Sequence, residues 1–374
     1  MPPITGKTVY ILGAGASQHT GIPLLRDFLF YARLLMESKT PLRHKDAYEL
    51  VFSWIAALRG SAYYVELDLN NLEHIFSLAE MDKQIHPKDN NHIVKELRQV
   101  VSETLDNSCH LTYRGDLLPP DKLYGQFVES FGQMGKDKQS HFDNDSVITF
   151  NYDVMLDNAV DYHSMASEYC LTTDASDQSL RARIRLLKLH GSANWAECGA
   201  CKNGKLQVIP PSPVFPSDVR FARTKEDVIP FRMAEILSRT PCQSCKQTNT
   251  LEPFFIAPTW SKKIEETPLT NVWSKAVEEI ADAFQLVVVG YSMPKTDTFF
   301  QYLLTLGLAD NPKLHRVIVV NTDDSEEFRE RYAKVFSRSL IDRSALKFLC
   351  PMSFEGFVER YMKTIGTRTE WFVL

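Results

Sequence analysis

The stretch TVYILGAGASQHTGIPLLRDF, Thr8 to Phe28, decides the fold. Thr8 to Leu12 is an apolar run of a length that suits one buried strand. Gly13-Ala14-Gly15-Ala16-Ser17 follows, with side chains too small to keep a ligand off the backbone, and a helix is expected after it. Free N–H groups and a helix N-terminus at such a turn make a cradle for phosphate. The first two glycines fit the dinucleotide fingerprint. Gln18, however, stands where the third glycine belongs, and no strand ending in Asp or Glu follows about 20 residues on. The pattern therefore departs from a standard dehydrogenase half, and taken alone the loop also reads as a tight turn.

Four later runs repeat the pattern of an apolar strand with a small or polar end. Ser146 to Phe150 ends at Asn151-Tyr152-Asp153, and Arg185 to Leu189 ends at His190-Gly191-Ser192. Gln285 to Val289 ends at Gly290-Tyr291-Ser292, and Arg316 to Val320 ends at Asn321-Thr322-Asp323. Runs with so little alternation suit a parallel sheet covered on both faces. In a doubly wound sheet the ligand lies beyond the carboxyl ends of the strands, so these ends should meet around one site. Helices are expected over Asn271–Phe284 and over Asp324–Phe336, the second opened by an Asp324-x-x-Glu327 capping box.

Between the first strand and Ser146 the alternation lapses. His44 to Leu58 places Tyr48, Val51, Phe52, Ile55 and Leu58 on one helical face; Asn71–Met81 and His92–Leu105 behave likewise. Aromatic residues at this spacing read as core, and the adjacent Glu73 and His74 lack the second ligand pair that a metal site needs. The fold class expected is α/β: a Rossmann-like doubly wound parallel sheet with a helical insertion and a small zinc-ribbon module. Its boundaries are drawn at 1–30, 141–195 and 251–350 for the sheet domain, 31–140 for the insertion, 196–250 for the metal module and 351–374 for a helical tail. In that tail Phe354, Phe357, Val358 and Tyr361 should face the body.

Composition narrows the classes. The 374 residues are 44% hydrophobic and 24% charged, with 42 basic against 47 acidic side chains and a formal charge of -5. That balance gives no general attraction for nucleic acid or anionic membrane. The chain opens MPPITGK and goes directly into a strand, so no signal peptide is read, and no apolar run approaches the roughly 18 residues of a membrane helix. The cytoplasm is the expected compartment.

Seven cysteines, an odd number, argue against a disulfide framework. Cys198-Gly-Ala-Cys201 and Cys242-Gln-Ser-Cys245 form two hooks that can each give two thiolates to one tetrahedral zinc. Unligated or redox thiols are the competing reading. A set of four thiolate ligands leaves no open position, so the metal would be structural. The Pro-rich link from Pro210 to Pro216 should be an irregular excursion within this module, and Cys109, Cys170 and Cys350 read as buried apolar residues.

Taken together these motifs resemble the sirtuin (silent information regulator) family. Gly13 to Ser17 with Gly21-Ile22-Pro23 and Arg26 come first. Phe150-Asn151-Tyr152-Asp153, Lys188-Leu189-His190-Gly191, the four cysteines, Gly290-x-Ser292 and Val320-Asn321 then follow in the family's order. The resemblance covers roughly residues 5–30 and 145–325 and implies NAD as substrate. It implies that Gly13, Ala14, Gly15 and Ser17 line the pyrophosphate and ribose, with Arg26 near the nicotinamide ribose. Asn151 and Asp153 would hold the nicotinamide end, and His190 would act as a base through a ribose hydroxyl. Gly290, Ser292 and Asn321 would contact the phosphate and adenosine side. For Asp153 a helix-capping role explains the residue equally well.

The departures bear on the reaction. Leu25 and Phe150 stand where a protein deacylase of this family carries Phe and Gln, and Pro253-Phe-Phe-Ile-Ala-Pro-Thr-Trp260 lacks the Phe-Gly-Glu strand that pairs with a substrate peptide. With the segment from Gly290 to Asp297 and the long insertion, the chain looks more like the bacterial sirtuin-like NAD hydrolases of antiphage defence. That branch implies an NAD-depleting effector that is a homo-oligomer or works with a HerA-type ATPase or another defence partner. The expected activity is NAD hydrolysis to nicotinamide and ADP-ribose; the alternatives are a deacylase or ADP-ribosyltransferase, and a non-catalytic NAD or ADP-ribose sensor.

Overall fold

The computed structural model describes residues 6–60, 67–86, 93–112, 120–134, 145–172, 183–201, 206–211, 228–230, 232–256, 268–294, 298–336 and 345–365. Its centre is a parallel sheet of seven strands. From one edge to the other these are Leu346–Leu349 (β12), Arg316–Val320 (β11), Gln285–Val289 (β10), Thr8–Leu12 (β1), Ser146–Thr149 (β3), Arg183–Lys188 (β5) and Ala166–Glu168 (β4). The doubly wound α/β architecture expected from the apolar runs is the one observed. Strands β4 and β12, which lie at the two edges, were not expected. Both are short and only half-buried, so they lack the continuous apolar run that marks the five inner strands.

Alternation within the inner strands explains the two covered faces. Val9, Ile11, Leu286, Val288, Val317 and Val319 fill one buried cluster, whereas Tyr10, Leu12, Val287, Val289, Ile318 and Val320 fill another. Over the first face lie Leu269–Ala281 (α8), Thr298–Ala309 (α9) and Glu326–Val335 (α10). Over the second lie Phe28–Glu37 (α1), Lys122–Met134 (α5), Met155–Tyr162 (α6) and Phe354–Ile365 (α11). Lys45–Leu58 (α2), Leu72–Ile85 (α3) and Val94–Ser108 (α4) extend that same cluster outward, and Tyr10 of β1 meets Phe127 of α5 edge-on at 5.5 Å.

The winding reverses beside β1. The chain passes from β1 to β3, β4 and β5 on one side, then returns to β10, β11 and β12 on the other. A crevice opens where neighbouring crossovers leave in opposite directions. Gly13 N–H donates to Val289 O at 3.0 Å and Gly15 N–H to Gly290 O at 2.9 Å, so the ends of β1 and β10 are stitched together at that crevice.

Beyond β5 the chain turns into an antiparallel sheet of Gly191–Cys198 (β6), Gln207–Val208 (β7) and Leu251–Phe255 (β9), in the order β7-β6-β9. Met233–Arg239 (α7) packs against it, and His110–Thr112 (β2) pairs with Val228–Pro230 (β8). Among the described residues no helix is long and apolar enough to cross a membrane.

Three expectations are corrected. The loop after β1 does not run into an α-helix: Ala14–Ala16 and Gln18–Thr20 are short 3-10 turns, and α1 starts at Phe28. Gly21 at φ 94 and Pro23 separate the turns from the helix, so the cradle is made of tight turns and not of an α-helix N-terminus. Helix α10 is capped by Ser325, whose Oγ accepts from Phe328 N–H at 3.2 Å, while Asp324 pairs with Arg329. Of the three unpaired cysteines Cys109 alone is buried; Cys170 and Cys350 are half-buried near the sheet edges. Residues 212–216, 257–260 and 295–297 of the quoted segments lie outside the described residues, as does the Tyr361 side chain. Phe354, Phe357 and Val358 are buried as expected.

Candidate functional site

The carboxyl ends of five inner strands open on one cavity of about 320 Å³. Ala14 and Gly15 after β1, Asn151 and Asp153 after β3, His190 after β5, Gly290 and Ser292 after β10, and Asn321 after β11 all line it, with Ser17 and Arg26. Gly13 lies beneath: a Cβ there would stand 2.6 Å from Gly290 O. Gly290 has φ +64, and a Cβ on it would stand 2.4 Å from Ala16 N. These two positions take glycine because the backbones of the two loops touch.

Asn151 is held from behind. Its Nδ2 donates to Gly13 O at 3.0 Å and to Ser17 Oγ at 2.9 Å, and its own N–H donates to Thr149 Oγ1 at 3.1 Å. Ser17 Oγ donates to Asp153 Oδ2 at 2.9 Å and lies 2.7 Å from Tyr124 OH, so one buried hydroxyl links the loops after β1 and β3 to helix α5. A hydroxyl offers one donor and two acceptor positions, and these neighbours use all of them. The other oxygen of Asp153 accepts the N–H of Met155, the first residue of α6, at 3.1 Å. Burial pushes the Asp153 carboxyl up, although the Lys188 ammonium pulls the other way.

Lys188 lies almost wholly buried under the site. Its Nζ donates to Asp153 O at 2.6 Å and to Asp157 Oδ2 at 2.9 Å, and Tyr169 OH donates to the second Asp157 oxygen at 2.5 Å. A charge buried this deeply needs such a full set of partners. The arrangement fixes the carbonyl of Asp153, and through it the loop that carries Asn151.

His190 sits at the junction of two sheets. Ile256 N–H donates to its carbonyl at 2.8 Å, and Gly191 with φ +85 turns the chain into β6. The residue is 4% exposed, and its ring lies 5.3 Å from Phe150 and 6.0 Å from Tyr152 between centroids. Phe150 stacks on Tyr291 at 4.7 Å, giving the cavity an apolar floor. Towards β11, Asn321 Nδ2 donates to Tyr291 O at 3.2 Å. There an adjoining cavity of about 210 Å³ shares Gly15, Gln18, Gly290, Asn321 and Thr322 and is closed by Met352 to Glu355. Arg26 and Ser292 are exposed at the rim.

Every candidate residue named from the sequence outside the cysteines is thus at or directly under one crevice. Reading by motif missed a second wall, formed by Phe28 of α1, Asn71 and Glu73 at the start of α3, and Leu105 of α4. It also missed Tyr124. The signal at Glu73 was faint: an acid in the first turn of a helix is ordinary, and only its burial at 7% exposure sets it apart.

Cys198, Cys201, Cys242 and Cys245 come together at the end of β6, their sulfurs all within 4.8 Å of one another. Cys198 Sγ is 3.6 Å from Cys245 Sγ, and Cys201 Sγ is 3.7 Å from Cys242 Sγ. Those separations exceed a disulfide and match the edge of a thiolate tetrahedron around zinc, about 3.8 Å for bonds of about 2.3 Å. Cys201 N–H at 3.5 Å from Cys198 Sγ and Ser244 N–H at 3.4 Å from Cys242 Sγ favour thiolates. The donor set and its spacing fit one structural zinc.

Among solved structures the chain is similar to a Sir2 homolog in complex with NAD, with 16% identity over 96% of this chain and 90% of that one and a TM-score of 0.45. It is also similar to Sir2Tm bound to a propionylated peptide, with 14% identity, coverage of 96% and 93%, and a TM-score of 0.42. No protein-family model and no curated protein matches the chain.

Proposed function

We propose that the chain is an NAD hydrolase that breaks the nicotinamide–ribose bond and gives nicotinamide and ADP-ribose. The observation that carries this reading is the meeting of Gly15, Asn151, His190, Gly290 and Asn321 in one crevice at the reversal of the sheet. A small-residue loop there accommodates a pyrophosphate, and the buried histidine and the clamped amide lie together in the same cavity. Bond breaking passes through an oxocarbenium-like centre, so the site must fix the ribose, shield it and supply a proton acceptor. Asn151 holds the nicotinamide end, Asp153 and Lys188 hold Asn151's loop, and His190 takes a proton from a ribose hydroxyl. Ser292 and Asn321 meet the phosphate and adenosine side, and Arg26 approaches from the rim.

The order of the motifs along the chain supports a sirtuin-like enzyme, and the replacement of Phe and Gln by Leu25 and Phe150 supports water in place of a peptide as acceptor. Pro253 within β9 removes one backbone donor from the strand next to the site, which weakens peptide capture by strand addition. On this reading the protein is a cytoplasmic, regulated antiphage effector, acting as a homo-oligomer or with a HerA-type ATPase.

The experiment is chromatography of the products after incubation with NAD, with and without an acetyl-lysine peptide, beside Asn151→Ala and His190→Ala. Nicotinamide and ADP-ribose formed without peptide and lost in both folded variants support the hydrolase. Turnover that needs the peptide and gives acetylated ADP-ribose replaces it with a deacylase. Tight NAD binding with no turnover replaces it with a sensor.

A further inference from the structure

We infer that Glu73, at the start of α3, is a further catalytic residue: the general base that takes the proton from the water attacking the ribose. The inference rests on the hydrolase reading and names the group that activates the acceptor. Among the described residues, the charged or readily ionised side chains that line the cavity are Arg26, Glu73, Asp153 and His190. Asp153 spends one oxygen on Ser17 and the other on Met155 N–H, beneath the site. His190 is occupied by the ribose hydroxyl. Glu73 is the carboxylate on the opposite, helical wall.

Its placement is built. Asn71 Oδ1 accepts Glu73 N–H at 2.9 Å, which fixes the first turn of α3, and Ser77 Oγ donates to Glu73 O at 2.8 Å. One turn on, Phe76 meets Phe255 edge-on at 6.5 Å; Phe255 packs on Tyr152 at 4.9 Å, and Tyr152 on His190 at 6.0 Å. This ladder of rings ties α3 to the residues that flank Asn151. Glu73 is 7% exposed and lies against the cavity, so its carboxylate is held at the site at a cost in desolvation.

The chemistry balances. The C1′–N1 bond of NAD breaks and its electron pair leaves with nicotinamide. Water oxygen bonds to C1′, Glu73 accepts one water proton and passes it to solvent, and His190 returns its proton to the ribose hydroxyl. This is the role that a carboxylate plays opposite the leaving group in glycoside hydrolysis.

The test compares Glu73→Gln and Glu73→Ala with the wild type in NAD cleavage, with and without sodium azide, on full-length protein shown by circular dichroism to be folded. The expected result is a fall in kcat of about 10²- to 10⁴-fold with the KM for NAD changed only a few-fold. Azide needs no deprotonation, so it should restore nicotinamide release by Glu73→Ala and give ADP-ribosyl azide, but should not rescue Asn151→Ala. A Glu73→Gln variant within a few-fold of wild type overturns the assignment, as does a folded, NAD-binding Glu73→Ala that azide fails to rescue. If the wild type itself releases no nicotinamide, the hydrolase reading falls first and the role of Glu73 with it.

Discussion

The Ser17 hydroxyl stands 2.9 Å from the Asn151 side-chain nitrogen, and on its other side it donates to Asp153 across 2.9 Å. The loop after β1 and the loop after β3 thus share one buried polar node, closed from α5 by Tyr124 at 2.7 Å. Replacing Ser17 by Ala leaves the Tyr124 hydroxyl and one Asp153 oxygen without this partner in a buried place. The expected cost is about 1–3 kcal/mol. Asn151 also loses one of its two side-chain anchors, and misplacement by about 1 Å can lower turnover by about 10²-fold. Urea unfolding and steady-state NAD cleavage separate the two effects. Reduced stability with wild-type turnover would make the node a structural one only.

The contact between Gly290 and the loop after β1 makes a sharper prediction. Ala at position 290 would place a Cβ 2.4 Å from Ala16 N in a backbone at φ +64. The strain is of the order of 1–3 kcal/mol, and the loop must move away from β10 to relieve it. NAD binding by calorimetry should weaken at least about tenfold, since about 1.4 kcal/mol is a factor of ten. Gly60→Ala is the control, for its Cβ would meet its nearest atom, Ala57 O, at 3.5 Å. If Gly290→Ala binds NAD as the wild type does, the loop is not part of the cradle.

Much of this arrangement was legible because the inner strands are buried on both faces. The uninterrupted apolar runs at Thr8, Ser146, Arg185, Gln285 and Arg316 announced a parallel sheet, and their polar ends announced the crevice. What stayed hidden came from contacts distant in sequence. Tyr124 lies in a stretch for which no helix is read from the sequence; only packing brings its hydroxyl to Ser17, a separation of 107 residues. In the sequence Glu73 stands out only beside His74, as a metal-ligand pair to be set aside; its place on the cavity wall comes from the packing of α3. The edge strands β4 and β12 are too short and too exposed to leave a pattern. Asp324 was read as the cap of α10 because it precedes Glu327 by three residues, yet the neighbouring Ser325 has the extended backbone that a cap needs.

The four cysteines predict one zinc per chain, removable by a strong chelator. A zinc held there would join the end of β6 to the Cys242–Cys245 hook, and β6 begins one residue after His190. Metal loss should therefore loosen the antiparallel sheet first and reach the site through Gly191 and Ile256. Elemental analysis should give about one zinc, and chelation or Cys198→Ser should lower the Tm by roughly 5–10 °C. Four thiols that titrate freely in the native protein, with no zinc found, would refute the centre.

Asp145 makes one contribution to the pH dependence of the fold. It precedes β3 and accepts Thr8 N–H through Oδ1 at 2.7 Å, while its Oδ2 has no hydrogen-bond partner among the described residues. Burial pushes this carboxyl up from 3.8 to about 8, against the backbone hydrogen bond from Thr8 and the nearby Lys7. The unfolded chain releases the proton near the ordinary carboxylate value, whereas the folded protein keeps it until about 8. Between those values the folded state holds the extra proton, so stability falls as pH rises through the window and levels off above it. One pKa unit is about 1.4 kcal/mol, and after relaxation of a buried group the net loss is on the order of 2–5 kcal/mol. Asp145→Asn keeps the acceptor for Thr8 and has no proton to lose. Denaturant unfolding of both proteins at several pH values across the window should show the wild type weakening towards alkaline pH relative to the variant. Parallel profiles would show that Asp145 ionises in the folded protein as it does in the unfolded chain.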